Sequence, residues 1–329
     1  MKKVLLILLA LSSPVFAQDT KLLVADASSS GTYAQMMKEI MSVCSTPESG
    51  LTIEEVSVKG GATENLAALK NNRASAALMH SDVIYAMSAS DASYRQLKTL
   101  VALYQEEVHV LAKRSSGIKT GTTLGYGGHT VEFNSVGDLK GYTVGAAGGG
   151  VITAKILQGN GEAGFKVQAF DTGKEVLAAL DGGQIQAAIF VGGAPLKIVE
   201  DLNSSSYKLL PVPETIRARV ANIYQSATIN YPNLRSGPVP TIAPDAIVLT
   251  RVYKSPKMIA PQAAFRRCFL THLDELKETP NMHPKWQQVE ADNHGKWEWY
   301  EIPGEMGPPA ATVAPVKVPG QGHKLPPKR

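Results

Sequence analysis

The chain has 329 residues, with 33 Lys and Arg against 29 Asp and Glu and a formal net charge of +4 at pH 7. A balance this close to neutral gives no reason to expect nucleic acid or another polyanion as a partner. The length suits two lobes better than one core, and no stretch after the first residues is apolar for the ~18 positions of a membrane-spanning helix.

Residues 1–17 have the pattern of a secretory signal peptide. Lys2 and Lys3 precede an apolar run from Val4 to Leu11, and Val15-Phe16-Ala17 forms an A-x-A-like cleavage site. We therefore expect cleavage after Ala17 and a mature, exported chain that is not embedded in a membrane.

The first predicted unit of the mature chain is a strand, a serine-rich loop and a helix, in LLVADASSSGTYAQMMKEI. A helix N-terminus has free backbone N–H groups which, together with hydroxyl groups, suit a carboxylate ligand. Ordinary N-capping by one serine is the alternative. The candidate ligand residues of this loop are Ser29, Ser30, Gly31, Thr32 and Tyr33.

Two cysteines, Cys44 and Cys268, are present in the chain. In an oxidising compartment they either form one disulfide or remain two buried thiols. The sequence leaves both alternatives open, because it does not show the distance between the two Cα atoms.

A helix, a polar turn and a buried strand are predicted over Glu64–Asp82, and the same order returns over Glu175–Gly193. Without a gap, ENLAALKNNRASAALMHSD and EVLAALDGGQIQAAIFVGG share Glu64/Glu175, Leu66/Leu177, Ala67/Ala178, Ala68/Ala179, Leu69/Leu180, Ala76/Ala187 and Ala77/Ala188. A chance match of Ala- and Leu-rich helices is the alternative. The repeated order predicts two similar α/β lobes, each a mainly parallel sheet flanked by helices, with a ligand cleft between them.

Four more candidate ligand residues belong to the first copy of this unit, namely Thr63, Asn65, Ser81 and Asp82. The composition of His80-Ser81-Asp82 suggests a hydrolase triad, but adjacent strand residues point to opposite faces and do not assemble one among themselves. Contacts to a ligand or a helix cap are the better interpretation of Ser81 and Asp82. His80 is interpreted as a packed polar residue.

The segment YQEEVHVLAKR is predicted to be the first crossing between the lobes, and TIAPDAIVLTR the second. A carboxylate at Glu107 could hold the ammonium group of a solute. An exposed residue of an alternating strand is the alternative.

The second copy opens with YTVGAAGGGVITAKIL, in which a strand enters a glycine-rich turn and leaves as a helix. A dinucleotide fingerprint fits poorly, because Ala147 stands at its middle glycine position. The general mechanism of an anion at a helix N-terminus remains. The candidate ligand residues of this copy are Gly148, Gly149, Gly150 and Thr153, with Val191 and Gly192 from the end of its last strand.

Five segments, taken in order, resemble the TAXI family of periplasmic solute-binding proteins of TRAP transporters. They are SSSGTYAQMMKEI, GGATENLAALKNNRASAALMHSDVIYAM, EEVHVLAKRSSGIKT, GDLKGYTVGAAGGGVITAKIL and LAALDGGQIQAAIFVGGAPLKIVEDL. The resemblance covers roughly Leu22–Leu276. It implies a type II periplasmic-binding fold and a small carboxylate solute, often an amino acid such as glutamate, which a membrane permease receives.

The predicted domain organisation departs from that family in two places, an insert at 121–135 and a Pro-rich tail that is expected to be disordered. The boundaries are 18–110 for the first part of lobe 1, 111–240 for lobe 2 with its insert, 241–302 for the return to lobe 1, and 303–329 for the tail.

We therefore expect a monomeric, periplasmic, non-enzymatic protein that closes around a small carboxylate solute and passes it to a TRAP permease. We predict no catalytic residue, no cofactor and no metal site, since the His/Glu pairs of the sequence lack enough partners. A periplasmic sensor or partner-binding protein on the same fold is the alternative, motivated by the insert and the tail.

Overall fold

The computed structural model describes residues 20–26, 31–58, 61–121 and 128–305. The predicted signal peptide, the tail from residue 306, Ser29 and Ser30 lie outside these residues. The strands are β1 Thr20–Ala25, β2 Leu51–Glu55, β3 Ala76–His80, β4 Leu97–Gln105, β5 Glu107–Lys113, β6 Lys119–Thr120, β7 His129–Thr130, β8 Thr143–Ala147, β9 Lys166–Phe170, β10 Ala187–Gly192, β11 Tyr207–Leu209, β12 Gln225–Ile229, β13 Val239–Ala243 and β14 Asp245–Arg251. The α-helices are α1 Thr32–Cys44, α2 Ala62–Lys70, α3 Ser81–Ser90, α4 Gly150–Gly159, α5 Gly173–Asp181, α6 Lys197–Glu200, α7 Glu214–Arg219, α8 Pro256–Thr271 and α9 Leu273–Glu278.

Two five-stranded sheets define the two lobes, and both have the same topology. The order is β2-β1-β3-β14-β4 in lobe 1 and, read in the corresponding direction, β9-β8-β10-β5-β11 in lobe 2. In each sheet the first three strands are parallel, and the fourth is antiparallel to both of its neighbours. The predicted two-lobed α/β fold is confirmed.

The repeated unit of the sequence is repeated in the structure. The helices α2 and α5 begin and end at positions that the gap-free alignment pairs, and the strands β3 and β10 begin at paired positions. Every residue of β3 is buried, as is expected of a strand that is covered on both faces. A chance resemblance between two helices does not explain a shared strand order.

Apolar cores cover both faces of each sheet. In lobe 1, α1 and α8 pack on one face, and α2 and α3 pack on the other. In lobe 2, α4 packs on one face and α5 on the other. The helices that follow β8 and β9 therefore begin at the carboxyl edge of their sheet.

The two crossings between the lobes lie side by side. Glu106 is the residue that separates β4 of lobe 1 from β5 of lobe 2, and Pro244 precedes β14, through which the chain re-enters the first sheet. The backbone N–H of Glu106 donates to the carbonyl oxygen of Pro244 at 2.9 Å. Two adjacent crossings of this kind allow one lobe to rotate against the other.

A disulfide joins Cys44, at the end of α1, to Cys268 in α8, with 5.7 Å between the Cα atoms. Cys44 belongs to the buried core of lobe 1, and the half-buried Cys268 packs against that core. Of the two alternatives that the sequence left open, the structure has the disulfide.

The short strands β6 and β7 pair as a separate antiparallel ribbon at the predicted insert. Residues 122–127 of that insert are not among the described residues. Within the described part of the chain, no helix is both long enough and apolar enough to cross a bilayer.

Candidate functional site

A cavity of about 840 Å³ lies between the lobes. Its wall is built from strand ends and from the first turns of the helices that follow, which is where ligands of open α/β sheets bind. Lobe 1 and the first crossing contribute Tyr33, Gly61, Ala62, Glu64, His80 and Glu106. Lobe 2 contributes the ends of β8, β9 and β10 with the residues that follow them.

The glycine turn between β8 and α4 forms one part of this wall. Gly148 has a left-handed φ of 53°, which suits glycine, and Gly149 precedes the first residue of α4. A Cβ on Gly149 would lie 2.0 Å from Nε2 of His80 and 3.2 Å from Cβ of Ala62. Lobe 1 therefore touches the backbone of lobe 2 at this point.

A buried polar cluster next to this contact joins the lobes. The carboxylate of Asp82 pairs with Nδ1 of His80 through one oxygen. Its other oxygen accepts hydrogen bonds from the hydroxyl groups of Thr153 and Tyr224, both at 2.7 Å. Since Thr153 belongs to α4, two of the predicted ligand residues bind each other across the lobes.

Electrostatics keep Asp82 ionised in this cluster. Burial by itself would raise the pKa of the Asp82 carboxyl, but the charge of His80 and the hydrogen bonds from His80, Thr153 and Tyr224 lower it below its ordinary value. Burial likewise opposes protonation of His80, and the neighbouring carboxylate nevertheless raises the pKa of this imidazole. The pair is therefore ionic.

Glu107, the predicted ammonium ligand, makes contacts within the protein. One carboxylate oxygen lies 2.5 Å from Nζ of Lys285, and the other accepts from the backbone N–H of Ala194 at 2.7 Å. The side chains of Glu107 and Lys285 are 8% and 2% exposed. Both oxygens of Glu107 are thus held by protein donors in this arrangement.

The neighbouring Glu106 is the acidic residue of the crossing that lines the cavity. It is 4% exposed, and its Oε2 accepts the hydroxyl of Tyr33. Burial raises the pKa of Glu106 to about 7, against the opposing effects of His80 and Tyr33. Sequence reasoning missed this residue, although the Glu-Glu pair marks the crossing, because the link between two strands has no alternation from which to choose a face.

The predicted ligand residues of α2 make structural contacts. The hydroxyl of Thr63 donates to Oε2 of Glu64 at 2.7 Å, and the same oxygen accepts from the backbone N–H of Gly61 at 3.1 Å. The buried side chain of Asn65 donates to the carbonyl oxygen of Leu78 at 2.7 Å and so ties α2 to β3. Glu64, which was not among the predicted ligand residues, lines the cavity.

Some of the remaining predicted ligand residues line the cavity, and others make contacts within the protein. Tyr33 and Val191 line the cavity, as do Gly148, Gly149 and Gly150. The hydroxyl oxygen of Ser81 accepts from the backbone N–H of Asp245 at 3.1 Å.

Three more predicted residues lie near the cavity without lining it. Gly192 is buried beside Leu196. Gly31 and Thr32 form the start of α1, and neither is among the lining residues.

Large apolar side chains from lobe 2 form the rest of the wall, and most of them were not predicted. They are Phe170, Ile189, Phe190, Val191, Leu196 and Ile198. Phe170 ends β9, so its position at a strand end was the available signal. Thr172 caps α5 by accepting the backbone N–H of Glu175 at 3.2 Å. Asp171 is exposed and lines the cavity.

Among the described residues, no group of three or more His, Cys, Asp or Glu side chains could hold a metal ion.

Three solved structures similar to this chain share 12–14% of its sequence. An ancestral arginine-binding protein bound to arginine has a TM-score of 0.47 and 13% identity, over 83% of this chain and 99% of that one. The amino acid ABC transporter substrate-binding protein AbpA of Streptococcus pneumoniae, bound to L-arginine, has a TM-score of 0.47 and 14% identity, over 82% and 96%. The BvgS periplasmic domain of B. pertussis has a TM-score of 0.44 and 12% identity, over 74% of this chain and 39% of that one.

No curated protein sequence matches the chain. Residues 24–290 match the sequence model of the NMT1-like family. The matched range includes the whole of the cavity wall described above and every strand of both sheets except the first part of β1.

Proposed function

The chain belongs to the NMT1-like family, and we propose that it is an exported, non-enzymatic solute-binding protein of the periplasm. It captures a small carboxylate-bearing solute between its lobes and delivers it to a TRAP-type membrane transporter. The interlobe cavity with the start of α4 in its wall carries the proposal. The transporter class rests on the resemblance of the sequence motifs to the TAXI family.

The carboxylate binds at the glycine turn. The first turn of an α-helix has backbone N–H groups without an intrahelical acceptor, and its partial positive charge favours an anion. Gly148, Gly149 and Gly150 place this turn in the wall without side chains that would block it.

Closure of the lobes encloses the solute. The hydrogen bond from Thr153 to Asp82 and the contact of His80 with Gly149 form only when lobe 1 and lobe 2 meet. A solute that contacts both walls adds its own binding energy to these contacts and favours the closed state.

The proposal is tested by isothermal titration of the mature chain, freed of bound solute, with a panel of small mono- and dicarboxylates. We expect at least one of them to bind and to reduce the radius of gyration measured by X-ray scattering. Mass spectrometry of solute that co-purifies with the native protein identifies the natural occupant. Failure of every carboxylate to bind, or recovery of a chemically converted product, would contradict the proposal.

Two substitutions on α4 form a matched pair for the closure step. Gly149 has helical φ and ψ angles, so alanine changes the contact with His80 and not the backbone conformation. Gly159, at the other end of α4, has no atom within 4 Å of the added Cβ. We expect Gly149→Ala to weaken solute binding and Gly159→Ala to leave it unchanged. Equal affinities of the two variants would count against closure at this contact.

A sensor or partner-binding protein is the second candidate, because β6 and β7 form a ribbon outside both main sheets. Deletion of residues 119–130 separates the two functions. We expect the deletion to leave both solute affinity and uptake intact. Unchanged affinity and uptake with loss of a signalling output would favour the sensor.

A further inference from the structure

The two walls of the cavity differ in chemistry. The lobe 2 wall includes Phe170, Phe190, Leu196 and Ile198, which are half-buried and pack with their other sides against the core that covers α5. Their remaining surface faces the cavity. Large apolar side chains that converge on a cleft are typical of sites that bind an apolar group.

The ionisable residues of the wall are mainly acidic. Glu64, Glu106, Asp171 and His80 line the cavity, and no lysine or arginine is among the described residues that do so. Glu106 is the most deeply buried of the three carboxylates. Its Oε2 accepts from the hydroxyl of Tyr33. A cationic group on the ligand would complement this carboxylate.

His80 connects the acidic part of the wall to the glycine turn. Its Nε2 lies 2.0 Å from the position that a Cβ on Gly149 would take, and its charge acts on Glu106. A ligand that contacts both the start of α4 and Glu106 therefore passes beside His80.

The volume of the cavity exceeds what such a head group needs. At about 840 Å³ it lies in the upper part of the range of ~300–1,000 Å³ that is usual for ligand pockets. The space beyond the head group is bounded by the aromatic and aliphatic side chains of lobe 2. A second carboxylate in that space would lose its hydration without gaining a described cation.

We propose that the solute is an α-amino acid with a large apolar side chain, of the size of leucine or phenylalanine, rather than a dicarboxylate such as glutamate. The inference rests on the proposed solute-binding function. The carboxylate binds at the first turn of α4, the ammonium group binds Glu106, and the side chain packs against Phe170, Phe190, Leu196 and Ile198.

The test is isothermal titration of the mature chain with L-leucine, L-phenylalanine, L-glutamate and 3-phenylpropionate, which has the carboxylate and the ring but no ammonium group. We expect leucine or phenylalanine to bind at least tenfold more tightly than both other compounds. Tighter binding of glutamate would overturn the inference and leave the proposed function intact. Failure of all four compounds to bind would overturn the inference, and failure of the wider carboxylate panel would overturn the proposed function as well.

Two variants test separately how the protein binds the ammonium group of the ligand and how it binds the ligand's apolar side chain. Glu106→Gln is expected to weaken the amino acid at least tenfold and to leave 3-phenylpropionate unchanged. Phe190→Ala is expected to weaken the larger amino acid roughly tenfold to a hundredfold, as the loss of a buried aromatic side chain implies. Val252→Ala, at an apolar side chain that is 49% exposed and outside the wall, is the control. Circular dichroism confirms that each variant is folded, and equal loss of both ligands in Glu106→Gln would contradict the assigned role.

Discussion

The ends of β3 and β10 occupy equivalent places in two lobes of the same topology, and they differ in almost every side chain. The strand β3 ends at His80 and is followed by Ser81-Asp82, and the aligned residues are Val191-Gly192, which end β10, and Gly193. The first set forms a buried ionic and hydrogen-bonded cluster that reaches into the opposite lobe. The second set gives the cavity the apolar side chain of Val191, followed by two buried glycines that do not line it.

This difference shows that the two copies of the repeat share a backbone fold but carry side chains with different chemical roles. A Cβ on Gly193 would lie 2.9 Å from Lys285 and 3.0 Å from Tyr104, so the missing side chain gives room to the segment that returns to lobe 1. Lobe 1 supplies the polar contacts that join the lobes, and lobe 2 supplies the surface on which a ligand packs. Substitutions in the two lobes therefore have different expected consequences.

Asp82→Ala is expected to have the largest effect, because it leaves His80, Thr153 and Tyr224 buried without their shared acceptor. We expect the free energy of unfolding to fall by about 3–5 kcal/mol, as for other buried pairs that lose one partner. Urea unfolding of the mature chain measures this loss. Glu54→Ala removes an exposed ion pair with Lys21 and serves as the control, with an expected loss below about 1 kcal/mol. Similar losses in the two variants would show that the cluster does not hold the lobes together.

Removal of the disulfide tests whether this covalent cross-link makes lobe 1 the more stable of the two lobes. Both cysteines lie in lobe 1, and we expect Cys44→Ser with Cys268→Ser to lower the free energy of unfolding by about 2–5 kcal/mol. Denaturant unfolding followed by tryptophan fluorescence reports on lobe 1, where Trp286 is buried. A reductant is expected to reproduce the loss in the natural sequence and to have no effect on the double variant.

The pH dependence of binding distinguishes the acidic wall from the apolar one. Glu106 has a pKa of about 7, with Tyr33, His80, Asp82 and Glu107 as its ionisable neighbours. An ammonium ligand requires the charged carboxylate, so its affinity is expected to fall as the pH decreases through 7. The steepest possible decrease for one proton is about tenfold per pH unit, or about 1.4 kcal/mol.

Loss of the His80 charge as the pH rises would relieve its repulsion of the same ammonium group, which acts in the same direction. Titrations between pH 5.5 and 8.5 with the natural sequence and with Glu106→Gln separate the two contributions. We expect the variant to have the shallower profile. Identical profiles would mean that Glu106 does not face the ligand.

The smallest effect on stability is expected for two glutamates that occupy equivalent positions in the two lobes. Glu64 accepts the backbone N–H of Gly61, and its counterpart Glu175 accepts that of Asp171, each at 3.1 Å at the start of its helix. We expect Glu64→Gln and Glu175→Gln each to lower the free energy of unfolding by about 0.3–1.5 kcal/mol. Because Glu64 also lines the cavity and Glu175 does not, a change in ligand affinity is expected only for Glu64→Gln.

The fold was predictable because its signals are local and repeated. The paired helix–strand units and the glycine turn fix two α/β lobes, and the ends of their strands fix the edge at which a ligand binds. The partners of buried polar groups were not predictable in the same way. Asp82 and Glu107 are residue types that often bind ligands. Their carboxylates instead bind Thr153 and Lys285, which are distant in the sequence. Such pairings depend on how the two lobes meet, which no local pattern records.

The disulfide between Cys44 and Cys268 closes a covalent ring, with a sequence separation of 224 residues, around all of lobe 2. Lobe 2 is therefore a loop of that ring, and one proteolytic cut anywhere within it leaves two fragments that separate only under reducing conditions. During synthesis, Cys268 emerges after the last strand of lobe 2. The ring is consequently sealed only after the entire lobe has been made, and lobe 1 becomes covalently complete last although it begins first.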